Sequence, residues 1–263
     1  MDQMKLRVAC HLSFQIDANT ALILMLRPYQ GNQQWIIHEH YEVNQLVQVL
    51  ESRDSFGNAC QRLVAPVGDF NIIVTADVRI YHQPTNYEHY FVEIQCLPAD
   101  ILLFLLPSRY CESDRLTVIA HEIIGDALPG FQQVIKIVQW LQATIRYLPG
   151  SSEYPLSAIE IYHQGFGVCR DLAHLGIALC RSISIPARIV VGYLEHLEPM
   201  DMHAWFEVYI GHQWQTFDPI CTDEQAGRVV VAYGRDAADV SVFHQFGSGA
   251  LLTNMVVTVN RVD

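Results

Sequence analysis

The spacing of apolar residues changes twice along this chain, and that change restricts the fold more than any other feature. Up to about residue 100, the segments "LRVACHLSFQI", "TALILML", "QWIIHEHYEV" and "FNIIVTADVRIYH" alternate, at least in part, between apolar and polar. Alternation gives an extended chain one apolar face, because successive strand side chains point to opposite sides. The turn-forming stretches "RPYQGNQ" and "DSFGN" lie between these segments, and no long amphipathic helix interrupts them. Several short strands at this spacing predict a β-sandwich of immunoglobulin-like size over residues 1–105.

Pro107 closes the run "ILLFLLP", and the period turns helical from about 115. "DRLTVIAHEIIGDA" is the first predicted helix. In "GFQQVIKIVQWLQATIRYL", the residues Phe131, Val134, Ile135, Val138, Leu141, Gln142 and Ile145 share one mostly apolar face. "PLSAIEIYH" is a short third helix. "VCRDLAHLGIALCRSI" is the fourth, with Val168, Leu172, Leu175, Leu179 and Ile183 along one stripe. After Pro186 the pattern reverts to strands: "ARIVVGYLE", "HAWFEVYI", "QWQTFDPI", "GRVVVAYG", and a last pair near 240 and over 251–259. Helices followed by antiparallel strands predict an α+β chain, with residues 106–263 forming a second domain of helices packed on a sheet.

Composition serves mainly to exclude. Among 263 residues, 51% are hydrophobic and 17% charged, which supplies a core and argues against disorder. A net charge of −12 makes nucleic acid and anionic membranes poor partners. No apolar run is long enough to span a bilayer. The start, "MDQMKLRVACHLSFQID", lacks the pattern of a secretory leader, so a cytoplasmic location is expected. Seven cysteines at wide spacings, without a Cys-x-x-Cys pair, point away from zinc ribbons and disulfide frameworks. Most are expected to be buried small hydrophobes, and no cofactor or metal is expected.

One cysteine stands apart. In "GFGVCRDLAHLGIALC", Cys169 opens the fourth helix behind Gly165 and Gly167. Unpaired N–H groups and the macrodipole at a helix start favour an anion there, and the Cys169 amide can face a developing oxyanion. The plain alternative is a small apolar residue at a helix start. A nucleophilic thiol needs a base and a group to orient it. Of twelve histidines, His203 opens the strand "HAWFEVYI", and Asp218 ends "QWQTFD". If Gly211 and His212 form a two-residue turn, His203 falls opposite Ile220 and Asp218 becomes its diagonal neighbour on the same face. His203, Trp205, Glu207 and Tyr209 then form a polar and aromatic face. His174 lies about 140° round the helix from Cys169 and is read as a core or surface histidine. A metal site of Cys169, His163 and His174 matches no common zinc spacing.

The combined pattern "GVCRDLAHL … CRSISIPARIVVGY … HAWFEVYIGHQWQTFDP" resembles the transglutaminase-like cysteine enzymes. The Gly-x-Cys helix start, "IPAR" leading to "GY", His-Ala-Trp, and a Trp followed by "DP" occur in the family's order, which is also that of the related papain-like enzymes. The match is strong over about 140–221. "PSRYCESD" resembles a segment of the bacterial branch, which carries a β-rich N-terminal domain. The resemblance implies Cys169 as nucleophile, His203 as base and acid, and Asp218 as orienting carboxylate. It implies acyl transfer through a thioester, with a peptide or protein as substrate. Arg170 departs from the Gln of animal transglutaminases; it is assigned either to the thiolate and substrate or to a salt bridge. Trp205, beside His203, is assigned to shielding the pair or to packing. Gln164 is the candidate second oxyanion donor. Water as acceptor gives a cysteine protease or amidase, and an amine gives a transglutaminase. Hydrolysis is preferred, because nothing here resembles the calcium sites or extra β-barrels of animal transglutaminases. A peptide- or protein-binding module without activity is the alternative of another class. The oligomeric state stays open.

Overall fold

The computed structural model describes residues 3–81, 90–221 and 223–262. Six strands come first: β1 (Gln3–Ile16), β2 (Thr20–Leu24), β3 (Gln34–Val43), β4 (Leu50–Arg53), β5 (Ala59–Ala65) and β6 (Gly68–Tyr81). The last residue of the predicted strand "FNIIVTADVRIYH", His82, lies outside the described residues. The helices are α1 (Thr117–Ile124), α2 (Phe131–Thr144), α3 (Ala158–Gln164) and α4 (Cys169–Ser182). Two-residue strands β7 (Arg146–Tyr147) and β8 (Phe166–Gly167) flank α3. The chain then forms β9 (Ala187–Leu194), β10 (His203–Ile210), β11 (Gln213–Phe217), β12 (Arg228–Gly234), β13 (Phe243–Phe246) and β14 (Ala250–Arg261).

The predicted sandwich forms for the predicted reason. In β1, Leu6, Val8, Cys10, Leu12, Phe14 and Ile16 are buried at every second position, and Phe70, Ile72, Val74, Ala76 and Val78 do the same in β6. Its two sheets run β14-β1-β6-β3 and β13-β2-β5-β4. Each therefore takes one strand from the C-terminus. β14 pairs with β1 from Arg261↔Leu6 to Ala250↔Ile16, and β13 pairs with β2. This corrects the division at residue 105: residues 243–261 belong by hydrogen bonding to the N-terminal sandwich. β1 and β2 thereby become interior strands, with β14 and β13 at the sheet edges.

The second unit is α+β. Its sheet runs β11-β10-β9-β12, all antiparallel, with α4 packed on one face. Gly176 of α4 sits under Phe206, so closely that an added Cβ would lie 2.7 Å from the ring. The one-sided stripe expected for α4 is corrected. Every residue from Asp171 to Arg181 is buried, because the sheet, α1, α2 and α3 surround the helix.

Side-chain amides join the two units. β12 is an edge strand, and its outward groups are paired by the sandwich. Gln34 accepts from Val230 N at 2.7 Å and donates to Val230 O at 2.8 Å. Asn58, wholly buried, accepts from Tyr233 N at 2.8 Å and donates to Tyr233 O at 2.7 Å. Tyr193 reaches across from β9 to donate to Leu26 O at 2.8 Å.

Candidate active site

The thiol is placed by the end of one helix and the start of the next. Gly165, with φ of 75°, ends α3 in the left-handed region that glycine tolerates. Gly167 has no room for a side chain: a Cβ would lie 2.7 Å from Ile161 and 3.0 Å from Asp171. Two residues later α4 begins at Cys169, whose amide has no intrahelical acceptor. The first turn is braced by Asp171, which is fully buried. Its carboxylate accepts from Val168 N and Leu156 N, both at 3.2 Å, and from the Ser152 hydroxyl.

The base and its partner come from the β10–β11 hairpin. Gly211 and His212 form the predicted two-residue turn, both with positive φ, and Ile210 pairs with Gln213. The ladder runs to Phe206↔Phe217, after which Asp218 turns in behind His203. His203 Nε2 donates to Asp218 Oδ2 at 2.8 Å, with the two side chains 0% and 2% exposed. His203 Nδ1 is buried without a hydrogen-bond partner among the described residues. With Nε2 committed, Nδ1 is the nitrogen left for the thiol. Burial lowers the His203 pKa, but the contacts with Asp218 and then Cys169 outweigh it and raise the group to about 9. Burial pushes the Asp218 carboxyl up, yet His203, Arg228 and backbone amides bring it below its ordinary value. Asp218 Oδ1 accepts from Ile220 N at 3.0 Å and Cys221 N at 3.2 Å. The structure thus holds Asp218 against His203, with Cys169 acting electrostatically on the same ring.

This chain matches the transglutaminase-like superfamily profile over residues 117–219. A crystal structure described as a putative cysteine protease, from Cytophaga hutchinsonii, is 35% identical with a TM-score of 0.92, covering 100% of this chain and 92% of that one. This chain belongs to the transglutaminase-like superfamily. An uncharacterized Mycobacterium leprae protein is 32% identical over 170 residues, and the match spans 60% of each chain.

The other residues singled out from this superfamily's pattern divide. Trp205 is 1% exposed, and its ring stacks on His203 with centroids 5.9 Å apart. It walls the imidazole. The Gln164 side chain is exposed and donates to Phe166 O at 3.0 Å. Arg170 is corrected toward its structural reading. It pairs with Asp171 at 3.2 Å and donates to Ser152 Oγ and Tyr154 O, at 3.2 and 3.1 Å. It fastens the 152–154 loop over the start of α4. His174 spends both ring nitrogens on backbone, at Leu156 O and Ala237 N, and stacks on Tyr110. Its lone pairs are committed, and among the described residues no cluster of three or more His, Cys, Asp or Glu gathers to hold a metal.

Two neighbours of these residues had no signal in the sequence. Tyr147 sits beside Gly167 through the parallel β7–β8 pairing. Burial first, then the negative charges of Cys169, Asp201 and Asp218, push its phenol up to about 12, so it is held as a donor. Arg228, at the start of β12, places Nη2 3.5 Å from Asp218 Oδ2. A cavity of ≈ 680 Å³ between the sandwich and the sheet is lined in part by Trp205, Asp218 and Arg228, but by neither Cys169 nor His203.

Proposed function

We propose that this protein is a cysteine-dependent acyl-transfer enzyme that hydrolyses a peptide or amide bond through a Cys169–His203–Asp218 triad. The observation that carries the reading is the buried imidazole. Asp218 holds one of its nitrogens at 2.8 Å, while the other has no bond and the Cys169 thiol acts on the ring. His203 takes the thiol proton and becomes an imidazolium stabilised by Asp218. The sulfur attacks the substrate carbonyl carbon. A C–S bond forms, and the oxyanion faces the Cys169 amide at the helix start. The C–N bond breaks as His203 gives its proton to the departing amine. Water, losing a proton to His203, then attacks the thioester carbonyl; the C–S bond breaks, the carboxylic acid leaves, and the sulfur takes the proton back from His203.

Hydrolysis is preferred over transfer to an amine. The Cytophaga hutchinsonii relative, described as a putative cysteine protease, matches along the whole length of this chain. The test is acylation by p-nitrophenyl acetate, followed by peptide mass spectrometry with and without methylamine. The reading expects acetyl on the Cys169 peptide, none in Cys169→Ser, and release as acetate even with methylamine present. Release mainly as N-methylacetamide would make the protein an amine-accepting transglutaminase. No acylation of Cys169 would sink both and favour the binding module.

A further inference from the structure

Arg228 lies ten residues beyond Asp218 in the chain, on a strand separated from β11 by β10 and β9. Its guanidinium nevertheless meets the same Asp218 oxygen that accepts from His203, with Nη2 at 3.5 Å and the Arg228 side chain 14% exposed. The remaining contacts concern the loop after Asp218. Nη2 donates to Cys221 O at 3.3 Å, and Nη1 donates to Asp223 O and Ala226 O, each at 3.4 Å. That loop also supplies the Ile220 and Cys221 amides that hold Asp218 Oδ1. One cation therefore touches the carboxylate and staples the backbone that fixes it.

Charge balance gives this a purpose. During turnover the proposed site holds a half-buried thiolate beside a buried imidazolium and carboxylate, a net charge of −1. Burying an unbalanced charge is costly, and the least costly relief is protonation of a carboxylate. Other groups face the triad: Asp201, just ahead of β10, acts on His203, and Tyr147 of β7 faces Cys169, Asp201 and Asp218. Neither is a cation. Arg228 makes the sequence Cys169, His203, Asp218, Arg228 alternate in sign and sum to zero.

We infer that Arg228 is a positioning residue of the triad, holding the Asp218 carboxylate behind His203 and balancing its charge. This rests on the proposed triad. The test is the rate of Cys169 alkylation by iodoacetamide from pH 4 to 8, in wild type, His203→Ala, Arg228→Gln and Arg228→Lys. With the charge gone, Asp218 takes up a proton at higher pH. Arg228→Gln is expected to move the acid limb up by about one pH unit, while Arg228→Lys leaves it within a few tenths. Should Arg228→Gln not fold by circular dichroism, Arg228→Met keeps the aliphatic stem and carries the same expectation. A limb unmoved in Arg228→Gln, or moved equally in Arg228→Lys, overturns the inference. A wild-type profile with no limb sensitive to His203→Ala overturns the triad itself, and the two failures are thereby distinct.

Discussion

His203 is the residue on which the proposed chemistry turns, and its surroundings set a pH signature. Its folded pKa, about 9, lies above the ordinary 6.5. A group so raised contributes stability that is fully present below 6.5 and lost as pH rises through about 9. Urea unfolding of wild type and His203→Gln should therefore differ most near pH 6 and converge by pH 9.5; a gap that widens with pH would refute the assignment. Asp218→Asn keeps the shape but forfeits the charge that stabilises the imidazolium. It should lower kcat by about 10³–10⁴-fold on whatever substrate is found, measured against Cys169→Ser as the zero. At this scale much was legible. The placing of Asp218 beside His203 followed from strand alternation together with a two-residue turn at Gly211–His212. Arg228 was not, because its contact with Asp218 depends on a bend after β11 that no local pattern encodes. That the Gln164 amide donates to Phe166 O was likewise not legible in the sequence.

Elements place these residues, and glycines let the elements approach. Gly192 on β9 lies opposite His203 in the ladder. A Cβ there would sit 2.2 Å from Val229 O and 2.9 Å from the Trp205 ring. Backbone cannot yield as a side chain tip does. Gly192→Ala should cost about 1–3 kcal/mol in denaturant unfolding, and it should slow acylation of Cys169 because Trp205 packs on His203. Unchanged stability would mean that β9 and β12 part more easily than their packing implies. Helix periods and strand alternation announced α2, α4, β9, β10 and β11. They did not announce that α4 is buried on every side, since burial depends on which elements surround a helix.

For the whole molecule, the sandwich and the α+β unit are fastened by buried amides and by returning strands. Asn58 covers both outward backbone groups of Tyr233. Asn58→Ala would leave that N–H and C=O without protein partners and should destabilise by about 1–3 kcal/mol for each group left dry, measured by thermal unfolding. A loss below a few tenths would mean that water replaces the amide. The return of β13 and β14 to the sandwich was invisible in sequence. Alternation marks a strand but not its partner, and β1 and β14 lie at opposite ends of the chain.

The most direct measurement is peptide-resolved mass spectrometry of the seven thiols after brief iodoacetamide treatment at about pH 6, where an ordinary thiol, with pKa near ~8.5, is mostly unreactive. Burial pushes the Cys10 thiol up to about 12 and moves Cys111 and Cys180 in the same direction, so these three should stay silent. The triad predicts that Cys169 is labelled first and fastest, and that His203→Ala slows it at least tenfold. Labelling of Cys169 no faster than the exposed Cys96, or a rate indifferent to His203→Ala, would contradict an assembled Cys169–His203–Asp218 triad.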